Sequence, residues 1–169
     1  MKDIQVKDIM NTDVVYVKPQ DSLKKVVQIL DKHNFKGLPV VDEKKKVVGI
    51  VTERDILKYT RWVIGQPVKD LRQLFREGEE EVAKSEHTVG QRAVDVIELV
   101  ASVTVGNLMT EAVFVEKGDL HVLKLVKMMN ENDINRIPIV NERKELIGIV
   151  TREDILKVFE MCFENYQDS

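Results

Sequence analysis

Apolar and polar positions along this chain change period in a fixed order, and that order occurs twice. Val14-Val15-Tyr16-Val17 is a β-branched and aromatic run that reads as a strand. Lys18-Pro19-Gln20-Asp21-Ser22 breaks it and offers Asp21 or Ser22 as a helix N-cap. From Leu23 to Lys32 the period becomes helical, with Leu23, Val26, Val27 and Leu30 on one face and Lys24, Lys25, Gln28 and Asp31 opposite. Leu38-Pro39-Val40-Val41 is a second short strand and Asp42-Glu43-Lys44-Lys45-Lys46 a polar hairpin connection. Val47-Val48-Gly49-Ile50-Val51 is a third strand, whose near-continuous apolar run predicts burial on both faces. A last helix begins at Thr52.

The second pass has the same order. Val113-Phe114-Val115 predicts a strand, the stretch around Val122 to Asn130 a helix, and Ile137-Pro138-Ile139-Val140 a strand. Asn141-Glu142-Arg143-Lys144-Glu145 is the polar connection, Leu146-Ile147-Gly148-Ile149-Val150 the third strand, and a last helix starts at Thr151 and continues past Phe159. Strands joined by a hairpin and flanked by helices predict an α+β unit with a small mixed sheet, present twice.

The two passes are one structural unit repeated. Gly49-Ile50-Val51-Thr52-Glu53-Arg54-Asp55-Ile56-Leu57-Lys58 recurs 99 residues further on as Gly148-Ile149-Val150-Thr151-Arg152-Glu153-Asp154-Ile155-Leu156-Lys157. Without gaps, positions 6–60 and 105–159 agree at about one position in three. Met10 pairs with Met109, Val14 with Val113, Pro39 with Pro138 and Val41 with Val140, so residues that fix the backbone recur in register. The expected organisation is a first domain over 6–60, a connector over 61–104 and a second domain over 105–160. Each copy alone is marginal for burying a core, and mutual packing of the copies would relieve that.

The connector is expected to be helical. Leu71, Leu74 and Phe75 share a face after Pro67, as do Ala93, Val96, Ile97 and Val100 before the second copy. Between them the acidic Glu77-Gly78-Glu79-Glu80-Glu81 predicts a solvated stretch, and Trp62 is a packing anchor for the inserted helices.

Composition narrows the function. With 43% hydrophobic and 33% charged residues the chain is an ordinary globular one, and its net charge of −3 argues against a nucleic-acid surface. No apolar run reaches membrane-spanning length, and the opening Met1-Lys2-Asp3-Ile4 lacks the apolar stretch of a signal peptide, so no membrane association is expected. The single cysteine, Cys162, cannot form an intrachain disulfide, which agrees with a cytoplasmic location, and it reads as a free thiol on the last helix. His33, His87 and His121 are dispersed and give no metal-ligand spacing. Neither glycine-rich phosphate fingerprint occurs and no nucleophile neighbours a base, so no enzyme activity and no catalytic cofactor are expected.

The repeated Thr-x-x-Asp follows a strand and opens a helix. Thr52 and Thr151 are good N-caps, and Asp55 and Asp154 three positions on can complete a capping box, at a stabilisation on the order of 1 kcal/mol. The same geometry suits a nucleotide. Free N–H groups and the positive dipole end favour phosphate, and a carboxylate one turn in suits a ribose diol. The motif by itself leaves both readings open.

Taken together the two copies, about two thirds of the chain, resemble CBS domains, and the tandem resembles the CBS pair called a Bateman module. The resemblance rests on Val6-Lys7-Asp8-Ile9-Met10 and Val105-Gly106-Asn107-Leu108-Met109, on Leu38-Pro39-Val40-Val41-Asp42 and Ile137-Pro138-Ile139-Val140-Asn141, and on the two Gly-Ile-Val-Thr-x-x-Asp-Ile-Leu runs. It implies two β-α-β-β-α domains packed about a pseudo-twofold axis, with two clefts that bind adenosyl compounds such as AMP, ADP, ATP or S-adenosylmethionine and signal by conformational change. It further implies that Asp55 and Asp154 hold ribose hydroxyls and that Thr52 and Thr151 contact phosphate or ribose. The backbone around Val14 and Val113, with Leu38-Pro39 and Ile137-Pro138, would enclose adenine.

Family members often place a basic or histidine side chain just before the Leu-Pro-Val strand. Here Arg136 stands two residues before Pro138, whereas Gly37 holds the equivalent place and Lys36 lies one earlier. Unequal sites are therefore expected, with Arg136, Thr151 and Asp154 the better place for a phosphate-bearing ligand. The apolar residues of the last helices, Ile56, Leu57 and Tyr59 with Ile155, Leu156 and Phe159, predict a homodimer. The expected function is that of a regulatory module acting on an effector protein, with the connector as the part that moves; the alternative is a ligand-free scaffold built from the same dimer.

Overall fold

A computed structural model of the chain describes residues 4–64 and 102–167. The expected connector helices, the acidic run Glu77–Glu81, His87 and the side chains of Trp62 and Cys162 lie outside the described residues.

In the first copy, helix α1 spans Leu23–His33, strands β1 and β2 span Gly37–Val41 and Val47–Thr52, and helix α2 spans Glu53–Ile64. In the second, strand β3 is Glu116–Lys117, helix α3 Val122–Glu131, strands β4 and β5 Arg136–Val140 and Leu146–Thr151, and helix α4 Arg152–Gln167. The α+β class and the helix-strand-strand-helix order that closes each copy are those expected from the sequence. β1 and β2 form a two-stranded sheet, and β3, β4 and β5 a three-stranded one in that order.

Ser22, not Asp21, caps α1: its Oγ accepts the Lys25 N–H at 3.3 Å. The Asp21 carboxylate instead accepts the Lys18 N–H and the Lys25 ammonium, both at 2.8 Å. At the equivalent place in the second copy His121 caps α3, with Nδ1 accepting the Leu123 N–H at 3.2 Å. Both helices stop in the same way: Asn34 and Asp133 take left-handed φ values of 54° and 50°, and the next residue bonds back, Phe35 to Leu30 and Ile134 to Met129.

Two expectations about strands need correction. The run Val14–Val17 is not a strand: only Val17 pairs, as an isolated parallel bridge to Val40. Likewise Val113–Val115 is unpaired, and the strand forms one step later at Glu116 and Lys117, parallel to Ile139 and Val140 of β4. β-branched composition supplies the propensity but not the partner. In both copies this run also lies where the chain passes from one compact unit to the other, which ends any ladder with a single partner.

The third strand is not the one buried on both faces. β2 and β5 alternate, with Val51, Gly148 and Val150 buried while Ile147 is 37% exposed. The doubly buried strands are β1, which has Val17 on one edge and β2 on the other, and β4, which lies between β3 and β5.

The described residues form two compact units, one of 4–15, 43–47 and 113–167 and the other of 16–42, 48–64 and 102–112. These units cross the repeat, since each copy's leading segment belongs with the body of the other copy. In the first unit Val6 is fully buried in one core with Val122, Leu125, Met129, Ile137, Ile139, Val150 and Ile155. Burying a valine of that kind contributes about 1.5–3 kcal/mol. In the second unit Val105 is fully buried, and its N–H donates to the Asp21 carbonyl at 2.9 Å.

Each leader also closes the edge of a third strand. Asn11 and Ile149 exchange two backbone hydrogen bonds of 2.9 Å in the first unit, and in the second Thr110 and Ile50 exchange bonds of 2.9 and 3.0 Å. The neighbouring methionines lie on the recurrent glycines. A Cβ on Gly148 would stand 2.5 Å from Met10 Sδ, and one on Gly49 would stand 2.7 Å from Met109 Sδ. The joint recurrence of methionine and glycine, 99 residues apart in each case, therefore records a packing contact between leader and opposite copy.

Candidate functional site

β2 and β5 each end in the threonine of Thr-x-x-Asp, and α2 and α4 begin at the next residue. In the second unit the Thr52 N–H and hydroxyl both donate to Asp55 Oδ2, at 2.9 and 2.5 Å, and the Asp55 N–H returns a 3.3 Å bond to Thr52 Oγ1. In the first unit the Thr151 N–H and hydroxyl donate to Asp154 Oδ2 at 2.8 and 2.7 Å, and the Asp154 N–H donates to Thr151 Oγ1 at 3.4 Å. Both turns are complete capping boxes.

A further bond ties each helix start to the residue that precedes the paired strand, β1 or β4. The Glu53 N–H donates to the Lys36 carbonyl at 3.2 Å and the Arg152 N–H to the Asn135 carbonyl at 3.0 Å. Three of the donors at each helix start are thus satisfied within the chain. The exposed Arg54 and Glu153 supply the remaining first-turn N–H, which has no acceptor among the described residues.

Each carboxylate keeps one oxygen in reserve. Asp55 Oδ1 takes no hydrogen bond among the described residues, and Asp154 Oδ1 has only the Lys157 ammonium at 4.0 Å, on a side chain 72% exposed. Such an oxygen can accept from a hydroxyl of a bound ligand without breaking the cap. The threonine hydroxyls are less available, because each proton is already given to the aspartate. To donate to a phosphate, either threonine would have to release its carboxylate.

The structure brings Lys36, Leu38, Pro39, Thr52 and Asp55 into one unit, and Arg136, Ile137, Pro138, Thr151 and Asp154 with Val113 into the other. Val14 belongs to the unit that holds the second copy, apart from the other candidates of its own copy. Leu38, Pro39, Ile137 and Pro138 are buried, whereas Val14 and Val113 are half-buried. Arg136 opens β4 directly across from Thr151, half-buried and with its Nη1 atom shut off from solvent. Lys36 is exposed and its ammonium lies 3.4 Å from Glu53 Oε2.

Glu53 was not among the residues singled out from the sequence. The signal available for it is the reversal of order between Thr52-Glu53-Arg54-Asp55 and Thr151-Arg152-Glu153-Asp154. Its counterpart Arg152 turns away to the end of α3, with Nη2 donating to the Met129 carbonyl at 3.3 Å and lying 3.7 Å from Asp133. No metal-holding group of His, Cys, Asp and Glu side chains occurs among the described residues, nor does any described helix have the length and apolarity to cross a membrane.

The family model for the CBS domain matches residues 6–61 and 105–160. An uncharacterised protein of Methanocaldococcus jannaschii is 30% identical over 154 residues, covering 90% of this chain and 89% of its own length. The inosine-5'-monophosphate dehydrogenase of the same organism is 27% identical over 150 residues, 89% of this chain, but the chain spans only 22% of that enzyme's length. Among solved structures, the chain is similar to the CBS domain pair of protein MJ0100 in complex with 5'-methylthioadenosine and S-adenosyl-L-methionine. That likeness has a TM-score of 0.65 and 26% identity over 92% of this chain and 99% of the other.

Proposed function

The chain belongs to the CBS domain family, and from that premise we propose that it is a regulatory module binding adenosine-containing compounds, one at each Thr-x-x-Asp turn. The observation that carries this reading is the pair of boxes in which one aspartate oxygen holds the helix cap and the other stays open to a ribose hydroxyl. Asp55 and Asp154 take the ribose, the Leu38-Pro39 and Ile137-Pro138 backbones with Val14 and Val113 line the base, and Arg136 faces a phosphate. Lys36 plays a lesser part, being exposed and engaged by Glu53. The solved MJ0100 pair, with its two adenosyl ligands, supports the ligand class; AMP, ADP, ATP and S-adenosylmethionine are the compounds to distinguish.

The same reading makes the protein a cytoplasmic homodimer that passes ligand occupancy to an effector protein. Exposed apolar residues on α4, Leu156 at 60% and Phe163 at 67%, support self-association through that helix. The dehydrogenase relative supports a regulatory role rather than a catalytic one, because its similarity is confined to 22% of the enzyme.

Thermal unfolding against AMP, ADP, ATP, NAD, S-adenosylmethionine and a guanine nucleotide tests the proposal. A compound that binds only the native state, at a hundred times its dissociation constant, raises stability by about 2.7 kcal/mol. The rise is expected with an adenosyl compound and not with the guanine control, and it should diminish in Asp55→Ala or Asp154→Ala. A specific observation favours the alternative of a ligand-free scaffold: three of the donors at each helix start are already satisfied within the chain. Stability unmoved by every adenosyl compound at millimolar concentration would select it.

A further inference from the structure

The methionines of the two leaders are placed alike, one in each compact unit. Met10 packs with Ile4 and Ile9 against the core of the first unit, its sulfur 2.5 Å from where a Cβ on Gly148 would stand. In the second unit Met109 lies on Gly49 in the same way, and the Thr110 carbonyl oxygen is 3.1 Å from the place of that missing Cβ. Both methionines are half-buried, and the residues that follow them, Asn11 and Thr110, are exposed. Met129 of α3 differs, for at 2% exposure it is enclosed in the first unit's core.

What each sulfur secures lies one residue on. Asn11 meets Ile149, and Thr110 meets Ile50, as an isolated antiparallel bridge of two backbone hydrogen bonds. A bridge with no ladder behind it has little cooperative support, so the apolar contact beside it contributes much of what keeps it closed. Ile149 and Ile50 stand two residues before Thr151 and Thr52, so each clasp borders a capping box.

We infer that Met10 and Met109 are paired sulfoxidation sites, through which a hydroperoxide loosens each leader from its third strand. The thioether sulfur attacks the outer peroxide oxygen. An S–O bond forms as the O–O bond breaks, and the proton of the transferred oxygen passes to the leaving oxygen, which departs as water or an alcohol. Sulfur gives up two electrons and the peroxide takes them. The product is polar and chiral where the thioether was apolar, and its oxygen is a strong acceptor lying against a glycine that has no side chain to meet it. At Gly49 the Thr110 carbonyl is a second acceptor close by, so the second unit's clasp opens further than the first. Sulfoxide is returned to thioether by methionine sulfoxide reductases, which makes the loosening reversible. The device works whatever the Thr-x-x-Asp turns bind.

Treatment of the full chain with hydrogen peroxide, read site by site by peptide mass and by hydrogen exchange, tests the inference. Sulfoxide is expected at Met10 and Met109 well before Met129. Exchange protection of the Asn11 and Ile149 amides, and of the Thr110 and Ile50 amides, should fall by about tenfold in proportion to the sulfoxide at their own methionine. Reductases specific for the two sulfoxide epimers should restore it. Met10→Leu, which keeps an apolar side chain and removes the sulfur, should silence the response in the first unit alone, and Met109→Leu the response in the second alone. Should a leucine variant lose stability by itself, the proportion between sulfoxide and protection in the unaltered protein decides. Oxidation of Met10 and Met109 no faster than that of Met129, protection indifferent to their sulfoxides, or a peroxide response that persists in a well-folded double leucine variant overturns the inference.

Discussion

The two Thr-x-x-Asp turns agree in every hydrogen bond that holds the helix and disagree in the side chains that face outward from it. Their boxes differ by no more than 0.2 Å in any bond, and each helix start is tied to the carbonyl just before β1 or β4. Around them, Gly37 and Glu53 stand where the other turn has Arg136 and Arg152. The capping geometry is what the fold requires, because an unsatisfied helix start costs free energy in either copy. Charge at the rim costs the fold little, so it is free to diverge. Identity between repeats thus marks what the fold requires here, and difference marks what it leaves free.

The strongest way to break this contrast is at a position where the copies must agree. Gly49→Val and Gly148→Val should each destabilise the protein by about 1–3 kcal/mol in urea unfolding, because a methionine already occupies the space. The two should then part company. The nearest atoms to Gly148 all belong to the flexible Met10 side chain, so Met10→Ala restores most of the loss. A Cβ at position 49 would also stand 3.1 Å from the Thr110 carbonyl, which Met109→Ala does not move, so its rescue is smaller.

A sharper, smaller test lies in the caps. Thr52→Ala and Thr151→Ala should each cost about 1 kcal/mol and differ by less than about 0.5 kcal/mol. Markedly unequal costs would mean that the matching bonds do not carry matching energies, and the equivalence of the two turns would fail.

The smallest effect concerns pH. Burial raises the Asp21 pKa, but the bonds from the Lys25 ammonium and the Lys18 N–H outweigh it and hold the group below the ordinary carboxylate value. A group depressed on folding stabilises the native state above its unfolded pKa of about 3.9 and loses that contribution as pH falls through the lower folded value. The second copy has Leu120 at the equivalent position. Hydrogen exchange in acid should therefore show the start of α1 weakening through this group while α3 has no such loss, and Asp21→Asn should cost about 0.5 kcal/mol at neutral pH and progressively less as pH falls through the lowered folded value.

Much of the architecture was legible from periodicity. The spacing of Leu23, Val26, Val27 and Leu30 gave α1 to within a residue, and Pro39 and Pro138 fell inside the expected second strands. The threonine and aspartate of each turn could be located because capping uses few residue types. Three features were not legible. Which strand is buried on both faces depends on what packs against each face, and composition does not report that. Lys45 and Lys144, at φ 60° and 64°, adopt a left-handed turn without the glycine or asparagine that would announce it. That Met10 lies on Gly148 rather than on Gly49 is a relation between distant segments, invisible to any local window. At the turns, residue type alone could not reveal that the threonine protons are committed or that Glu53 is shielded while Arg54 is exposed.

The exchange of leaders bears on how the chain can be taken apart. A cut within the connector would separate the copies as written in the sequence, yet one fragment would keep Val6 without Leu125, Met129 and Ile137, and the other Val105 without Leu23 and Leu38. Neither piece would carry its core complete. Mixed together they should complement one another, which makes this repeat a split protein whose two halves assemble only in each other's company.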